Sequence, residues 1–211
     1  MTTWIEASGG RERGVTGLVR AWVGVLMAPR RFFRSSISTG DQAPGLTFAI
    51  AVILLHAAPR ILPMTEQSLS MRVLTLLLVV VFLTPIVLHL CAALETIALL
   101  GVAKDRAGVS QTVQVIGYAA APCALSGVPL TALCVGMAGL CVVSADLIAL
   151  LWLGTAVYGV VLLAIGTAIV HDTSIPRAVV VTAVPSWIIF GYGFRGIHAL
   201  ELLGATSGLF G

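Results

Sequence analysis

Long uncharged stretches dominate the order of polar and apolar positions along the chain. The clearest of them, Val73 to Leu94, contains no Asp, Glu, Lys or Arg over twenty-two residues. An apolar helix needs about 20 residues to cross a hydrocarbon core of about 30 Å, and lipid offers its backbone no hydrogen-bond partner. The pattern predicts an all-α integral membrane protein, a bundle of five transmembrane helices. We place the spans at about residues 45–62, 73–95, 111–138, 147–170 and 178–195.

The third uncharged stretch leaves the number of crossings open. It runs for thirty-nine residues, from Ala107 to Ala145, and holds either one long broken span or two short spans that meet near Pro129. A sixth crossing within residues 130–143 would bring the C-terminus to the same side as the N-terminus. Counting charges does not separate the two arrangements.

Basic residues indicate the orientation, because Lys and Arg accumulate in cytoplasmic loops. With a cytoplasmic N-terminus and five spans, nine basic residues lie inside and three outside. The inside residues are Arg11, Arg13, Arg20, Arg30, Arg31, Arg34, Lys104, Arg106 and Arg177, and the outside residues are Arg60, Arg72 and Arg195. We therefore predict a multi-pass protein of the cell membrane with a cytoplasmic N-terminus and an external C-terminus.

Residues 1–44 are predicted to form a cytoplasmic segment with a helix at residues 15–28 in the membrane interface. Apolar residues recur there at spacings of three and four, which gives a helix one broad apolar face. Aromatic rings insert at headgroup depth and Arg side chains meet anionic lipid. The residues expected at the interface are Trp22, Arg30, Arg31, Phe32, Phe33 and Arg34. The alternative is a basic flank that only orients the first span.

Composition supports the membrane prediction. Hydrophobic residues make up 58% of the chain and charged residues 10%, with a mean hydropathy of +1.05. A soluble domain carries roughly 25% charged residues. Outside residues 45–200, only the N-terminal segment and a Gly-rich tail at residues 201–211 remain, so we expect no separate soluble domain.

Few side chains offer chemistry inside the predicted spans. His89 and Glu95 are the candidates for a polar site, since ionisable groups within a membrane are often functional. They are six residues apart, roughly 240° around a helix, and Glu95 falls about 33 Å from Val73, which places it at the inner headgroups. No HExxH or GxSxG motif occurs, and the four cysteines form no CxxC pair. We therefore predict no enzyme activity, no metal site and no cofactor.

The third predicted span is rich in small residues. Gly117 and Ala121 form a small-xxx-small pair, which lets helix backbones approach closely. Pro122 removes a backbone donor and bends the helix, and Pro129 ends or breaks it. A kinked packing helix accounts for this pattern physically.

The order of these motifs resembles the Yip (Ypt/Rab-interacting protein) family of membrane proteins, in its archaeal and bacterial branch. The segment from Ile116 to Pro122, followed by Val128 and Pro129, is similar to the family's third span. The run from Pro29 to Phe33 resembles the family's entry to span one. Further matching segments are Gly166, the run 171–178 and Pro185. The chain differs in being longer between Pro129 and Trp152, which keeps a re-entrant piece or sixth crossing open.

The resemblance implies five spans and a cytoplasmic N-terminus. Eukaryotic members are associated with Rab GTPases and membrane shaping, whereas prokaryotic members have no general assigned activity, so a small-GTPase partner rests on distant analogy alone. Our leading hypothesis is a non-catalytic protein of membrane organisation, or a membrane-embedded scaffold for other proteins. Its partners would be the lipid bilayer and other membrane proteins or itself, with no nucleic acid. The alternative is a small-molecule or ion transporter that uses the broken third span.

Overall fold

The computed structural model describes residues 14–103, 107–127 and 145–206, and all regular structure within them is helical. Two short helices come first, α1 (Gly14–Met27) and α2 (Pro29–Ser35). The longer elements are α3 (Ala43–Ile61), α4 (Leu69–Leu77), α5 (Thr84–Leu99), α6 (Val109–Ala119), α7 (Ala145–Val170), α8 (Ile175–Ser186) and α9 (Gly196–Thr206). A π-helical segment, Leu78–Leu83, joins α4 to α5, a second one, Trp187–Gly193, follows α8, and a 3₁₀ segment, Ala121–Gly127, follows α6.

Four helices of the described residues are long and apolar enough to cross a membrane. They are Ala43–Ile61, Leu69–Leu99, Ala145–Val170 and Ile175–Gly193. The third predicted span, at residues 111–138, appears as α6 and the 3₁₀ segment up to Gly127, and its remainder lies outside the described residues. The proposed extra crossing at residues 130–143 also lies outside them. The chain is a helical membrane bundle with at least four such helices.

The π-helical segments both lie beside prolines within long helices. Pro85 follows the first segment by two residues, and Pro185 precedes the second by two residues. Proline has no N–H to bond the carbonyl four residues earlier, and wider π turns are a common local adjustment inside helices. In the first case the Thr84 hydroxyl donates to the Val79 carbonyl at 2.8 Å. Both helices therefore continue through a proline and retain their length.

Contacts along the elements define two ends of the bundle. Gly45 packs against Gln114 and Gly127 against Leu55, so α3 and the α6 segment run parallel. Helix α7 runs the opposite way, because Gly166 contacts Val115 whereas the Cys123 thiol lies 3.7 Å from the Thr155 carbonyl. We call one end the His171 end, which includes residues 107–114 and 166–175. The other is the Trp152 end, which includes residues 55–60, 126–127 and 194–198.

Aromatic rings fill the middle of the bundle. The ring of Tyr118 lies 4.9 Å from that of Phe32 and 5.0 Å from that of Phe48, measured between centroids. Phe190 packs against Gly159, where a Cβ would lie 2.2 Å from the ring. Large rings lie beside small residues in this layer, as close packing of a protein interior requires. The core therefore has an apolar middle between the two ends.

Helix α1 forms where the sequence predicts it, but its contacts are not at one end of the bundle. The Trp22 indole N–H donates to the Ala121 carbonyl at 2.8 Å, and the Tyr158 hydroxyl donates to the Leu26 carbonyl at 2.6 Å. Tyr158 lies near the middle of α7, about 18 Å from its last residue at 1.5 Å per residue. The helix thus lies against the flank of the bundle, where Ala21 and Val25 are buried. Its position in the membrane interface stays a prediction.

Candidate functional site

The small residues of α6 bring α3 and α6 into backbone contact. A Cβ on Gly117 would lie 2.5 Å from the Gly45 carbonyl oxygen, and a Cβ on Gly45 would lie 2.5 Å from the Gln114 Cα. Neither position has room for a methyl group. The small-residue pattern is therefore used inside the bundle, where it holds two helices of the same chain together.

The other predicted packing residues lie in the same region. Tyr118 and Ala121 are fully buried, and Pro122 is buried as well. Helix α6 ends at Ala119, and the chain continues in 3₁₀ form from Ala121, so the predicted bend at Pro122 is a change of helix type. Gly166 lies beside Val115 and Phe33, where a Cβ would be 2.7 Å and 3.0 Å away from their nearest atoms. Pro129 lies outside the described residues.

Glu95 lies within the protein rather than at the lipid headgroups. Its side chain has no exposed surface, and its Oε1 accepts a hydrogen bond from the Thr167 hydroxyl at 2.5 Å. Its Oε2 is buried and has no hydrogen-bond partner in the part of the chain that the structure describes. The sequence analysis placed Glu95 among the lipid headgroups by counting residues from Val73. That prediction of its surroundings was wrong, because α7 covers this face of α5.

A second polar group of side chains lies nearby, at the His171 end. The His171 Nδ1 accepts from the Ala107 N–H at 3.1 Å, which leaves Nε2–H to donate to the Thr112 hydroxyl at 3.2 Å. The Thr112 hydroxyl is also 3.4 Å from that of Thr96. His171 follows the last residue of α7 and is fully buried, and this burial lowers its pKa from 6.5 to about 4. Its ring is therefore neutral at pH 7 and ties α7 to the start of α6.

His89 does not join Glu95 in a polar site. Its Nδ1 bonds the Pro85 carbonyl at 2.7 Å, one turn back on its own helix. Glu95, in contrast, bonds across to α7. The structure therefore separates the two residues, as their angular spacing indicated.

Another polar cluster, at the Trp152 end, was not identified from the sequence. The Arg60 guanidinium donates to the carbonyls of His56 and Ser126, the latter at 2.7 Å. Its carbon lies 5.2 Å from the centre of the Trp152 ring, and that of Arg195 lies 4.7 Å from the same ring. Cations favour the electron-rich face of an indole. The cluster joins elements that are far apart in sequence, so only the positions of Trp and Arg near the span ends could have suggested it.

An apolar layer separates the polar groups of the two ends. The His56 Nδ1 lies 2.7 Å from the Ser126 hydroxyl, and the Thr167–Glu95 pair lies at the opposite end of α7 from Trp152. Between them lie Tyr118 and its aromatic neighbours. Among the described residues, no chain of hydrogen bonds connects the two ends.

The residues expected at the membrane interface divide into two groups. Phe32 and Phe33 are only 6% and 2% exposed, so their rings belong to the core and not to a headgroup layer. This corrects the sequence prediction, and the reason is that Phe32 packs on Tyr118 and Phe33 beside Gly166. Trp22 is partly buried and contacts the bundle. Arg30, Arg31 and Arg34 are exposed.

The described residues contain no cluster of three or more His, Cys, Asp or Glu side chains that could hold a metal ion. Cys91 and Cys123 are free and buried. Cys134 and Cys141 lie outside the described residues.

These features define a multi-pass membrane protein built as a helix bundle. A family model, the Yip1 domain, matches residues 23–196. The chain therefore belongs to the Yip1 domain family, as the motif order of α2, α6 and α7 indicated. No curated protein and no solved structure matches the chain.

Proposed function

We propose that the protein is a non-catalytic component of the cell membrane that organises the bilayer or acts as a scaffold for other membrane proteins or for itself. In this proposal α6 and its continuation form the fifth crossing, which adds to the four long apolar helices. The N-terminus then lies in the cytoplasm and the C-terminal helix α9 outside. The charge distribution supports the cytoplasmic N-terminus, and the external position of α9 follows from the proposed number of five crossings.

The exposed second span is the observation that carries the proposal. In the helix Leu69–Leu99, only 17% of the most apolar window is buried, against 39% in each of the other three long helices. Phe82, Ile86 and Leu90 recur every four residues and are 60%, 62% and 54% exposed. Residues at this spacing lie along one helix face. A long apolar face at the edge of the bundle is suited to contact with lipid and with helices of other proteins.

The packing inside the bundle also supports a function carried out by its outer, apolar helix faces. The packing motif around Gly117 is used within the chain, and the polar groups bond to one another at separate ends. The described residues expose long apolar helix faces, and such faces are suited to contacts with lipid or with other helices. The protein's activity would depend on what covers those faces.

The test is photocrosslinking in native membranes from the exposed second span. A photoreactive residue at position 82 or 86 is expected to give discrete protein adducts. Val180, on α8, is 75% exposed and provides the matched control. Equal, lipid-only adducts at all three positions would exclude a protein partner on this face. If reconstitution also left vesicle size and shape unchanged, the proposal would fail as a whole.

The second candidate is a transporter, and one observation favours it. The helix break after Ala119 lies beside the buried core, and broken helices expose backbone groups to ligands in transporters. The apolar layer around Tyr118 argues against it. Flux of ions or small solutes in proteoliposomes, lost on replacement of Glu95 and Tyr118 together, would support transport and contradict the scaffold proposal.

A further inference from the structure

A polar cavity lies at the His171 end, between α2 and the turn that joins α7 to α8. Its volume is about 370 Å³. Its lining residues combine two cations, one carboxylate, one hydroxyl-bearing residue and an apolar side, and they include Arg30, Arg34, Asp172, Thr173, Ile165 and Ile169. None of them takes part in the buried polar group around His171. The cavity therefore needs an explanation of its own.

The two arginines are held over the cavity by the packing of α2. Arg30 and Arg34 are four residues apart and share a face of this helix. Phe33, which is almost fully buried beside Gly166, fixes the helix to α7. Arg31 is exposed and does not line the cavity. In the described part of the chain, no carboxylate lies within 4 Å of the Arg30 or Arg34 guanidinium.

The opposite side of the cavity is apolar and belongs to a membrane-spanning helix. Ile165 and Ile169 lie one turn apart near the end of α7, and the apolar helix ends at Val170. The cavity thus joins a partly exposed apolar surface, formed by Ile165 and Ile169, to a cationic rim at the point where the span ends. A glycerophospholipid has a matching arrangement, because its apolar acyl chains are joined through glycerol to an anionic phosphate.

The charge of the lining limits which anion fits. Two guanidinium groups and the Asp172 carboxylate give a formal sum of +1, which matches a singly charged phosphodiester better than a multiply charged one. Arginine suits phosphate because its planar group donates two parallel hydrogen bonds. The Asp172 carboxylate repels the phosphate itself but accepts hydrogen bonds from headgroup hydroxyls.

We propose that this cavity binds an anionic glycerophospholipid with a hydroxylated headgroup, such as phosphatidylglycerol. Arg30 and Arg34 contact its phosphate, Asp172 accepts from its headgroup hydroxyl, and the acyl chains follow Ile165 and Ile169. This site goes beyond the proposed function, because it assigns a ligand at the edge of the bundle that is independent of any partner on the second span.

The test is native mass spectrometry of the full-length protein, purified in detergent and titrated with phosphatidylglycerol or phosphatidylcholine. The variant R30Q/R34Q removes both cavity cations. The matched control R31Q/R177Q removes two exposed arginines that do not line the cavity. We expect retained phosphatidylglycerol to fall about tenfold in R30Q/R34Q, since two charge-assisted contacts are lost, and to change less than about twofold in the control.

Three results would overturn the proposal. Equal losses in both variants would show a general attraction of basic residues to anionic lipid. Equal retention of phosphatidylcholine would show that the cavity does not select by charge. Competition by inorganic phosphate at equal concentration would identify a site for a soluble anion. Circular dichroism and gel filtration of both variants establish that a loss does not arise from unfolding.

Discussion

The Glu95 carboxylate is bonded to the Thr167 hydroxyl at 2.5 Å in a position without solvent exposure. Removing the hydrogen-bond partner of a buried carboxyl leaves that polar group unsatisfied, which costs stability. T167V should therefore lower the free energy of unfolding by about 1–3 kcal/mol. The measurement is a reversible denaturant titration in detergent.

The double variant E95L/T167V provides the control for this prediction. Replacing both polar partners by apolar groups removes the unsatisfied group, so the double variant should be more stable than the sum of E95L and T167V predicts. Strict additivity would mean that the two side chains do not interact.

Close contact of α3 with α6 at Gly117 gives a second prediction. A methyl group there would lie 2.5 Å from the Gly45 carbonyl oxygen, so G117A requires the helices to move apart. We expect a loss of about 1–3 kcal/mol in unfolding free energy. Gly154 on α7 has nothing within 4 Å of its Cβ position, and G154A should be neutral or slightly stabilising. Equal behaviour of the two alanine variants would refute the close contact.

Burial of His171 predicts a dependence of stability on pH. Because its pKa falls from 6.5 to about 4 in the folded protein, the unfolded chain binds more protons between these values. Stability from this residue is therefore complete above pH 6.5 and is lost as the pH falls towards 4. The difference in unfolding free energy between the wild type and H171Q should narrow over that range. If this difference in unfolding free energy stays constant from pH 7 to pH 4, the prediction is wrong.

The sequence predicted the class of fold well, because uncharged length alone identifies helices that suit a bilayer. The motifs around Pro29, Gly117 and Gly166 also predicted the family, which the match of the Yip1 domain model to residues 23–196 confirms. The surroundings of Phe33 and Glu95 were not predictable, because burial depends on which helix packs beside them. A single amphipathic pattern does not distinguish a ring that faces lipid from one that faces a neighbouring helix.

The polar cluster at the Trp152 end shows the same limit. Arg60 and Trp152 are more than ninety residues apart, and nothing in the local pattern of either connects them. Positive-inside counting treats Arg60 and Arg195 only as external charges. Their contact with one indole ring follows from the packing of α3, α7 and α9, which no local signal specifies.

The position of α1 can be tested by chemical labelling. Val23 lies on the exposed face of α1, and Ser35 is exposed at the end of α2. If α1 rests against the middle of the bundle, V23C is surrounded by hydrocarbon and should react poorly with a polar maleimide in opened membrane vesicles, whereas S35C reacts readily. A helix in the membrane interface would instead let both cysteines react at similar rates. The unsubstituted protein controls for reaction of its own cysteines.

Replacing Arg60 by lysine should destabilise the protein, although the positive charge is kept. Its guanidinium donates to two carbonyls on different elements and lies over the Trp152 ring. A lysine ammonium lacks the planar fork that makes these contacts together, so one carbonyl of the Trp152 end would lose its donor. We expect R60K to reduce the free energy of unfolding by about 1–2 kcal/mol, whereas R177K, at an exposed position on α8, should change it by less than about 0.5 kcal/mol. If R60K and R177K unfold alike, charge alone accounts for Arg60 and the cluster has no structural role.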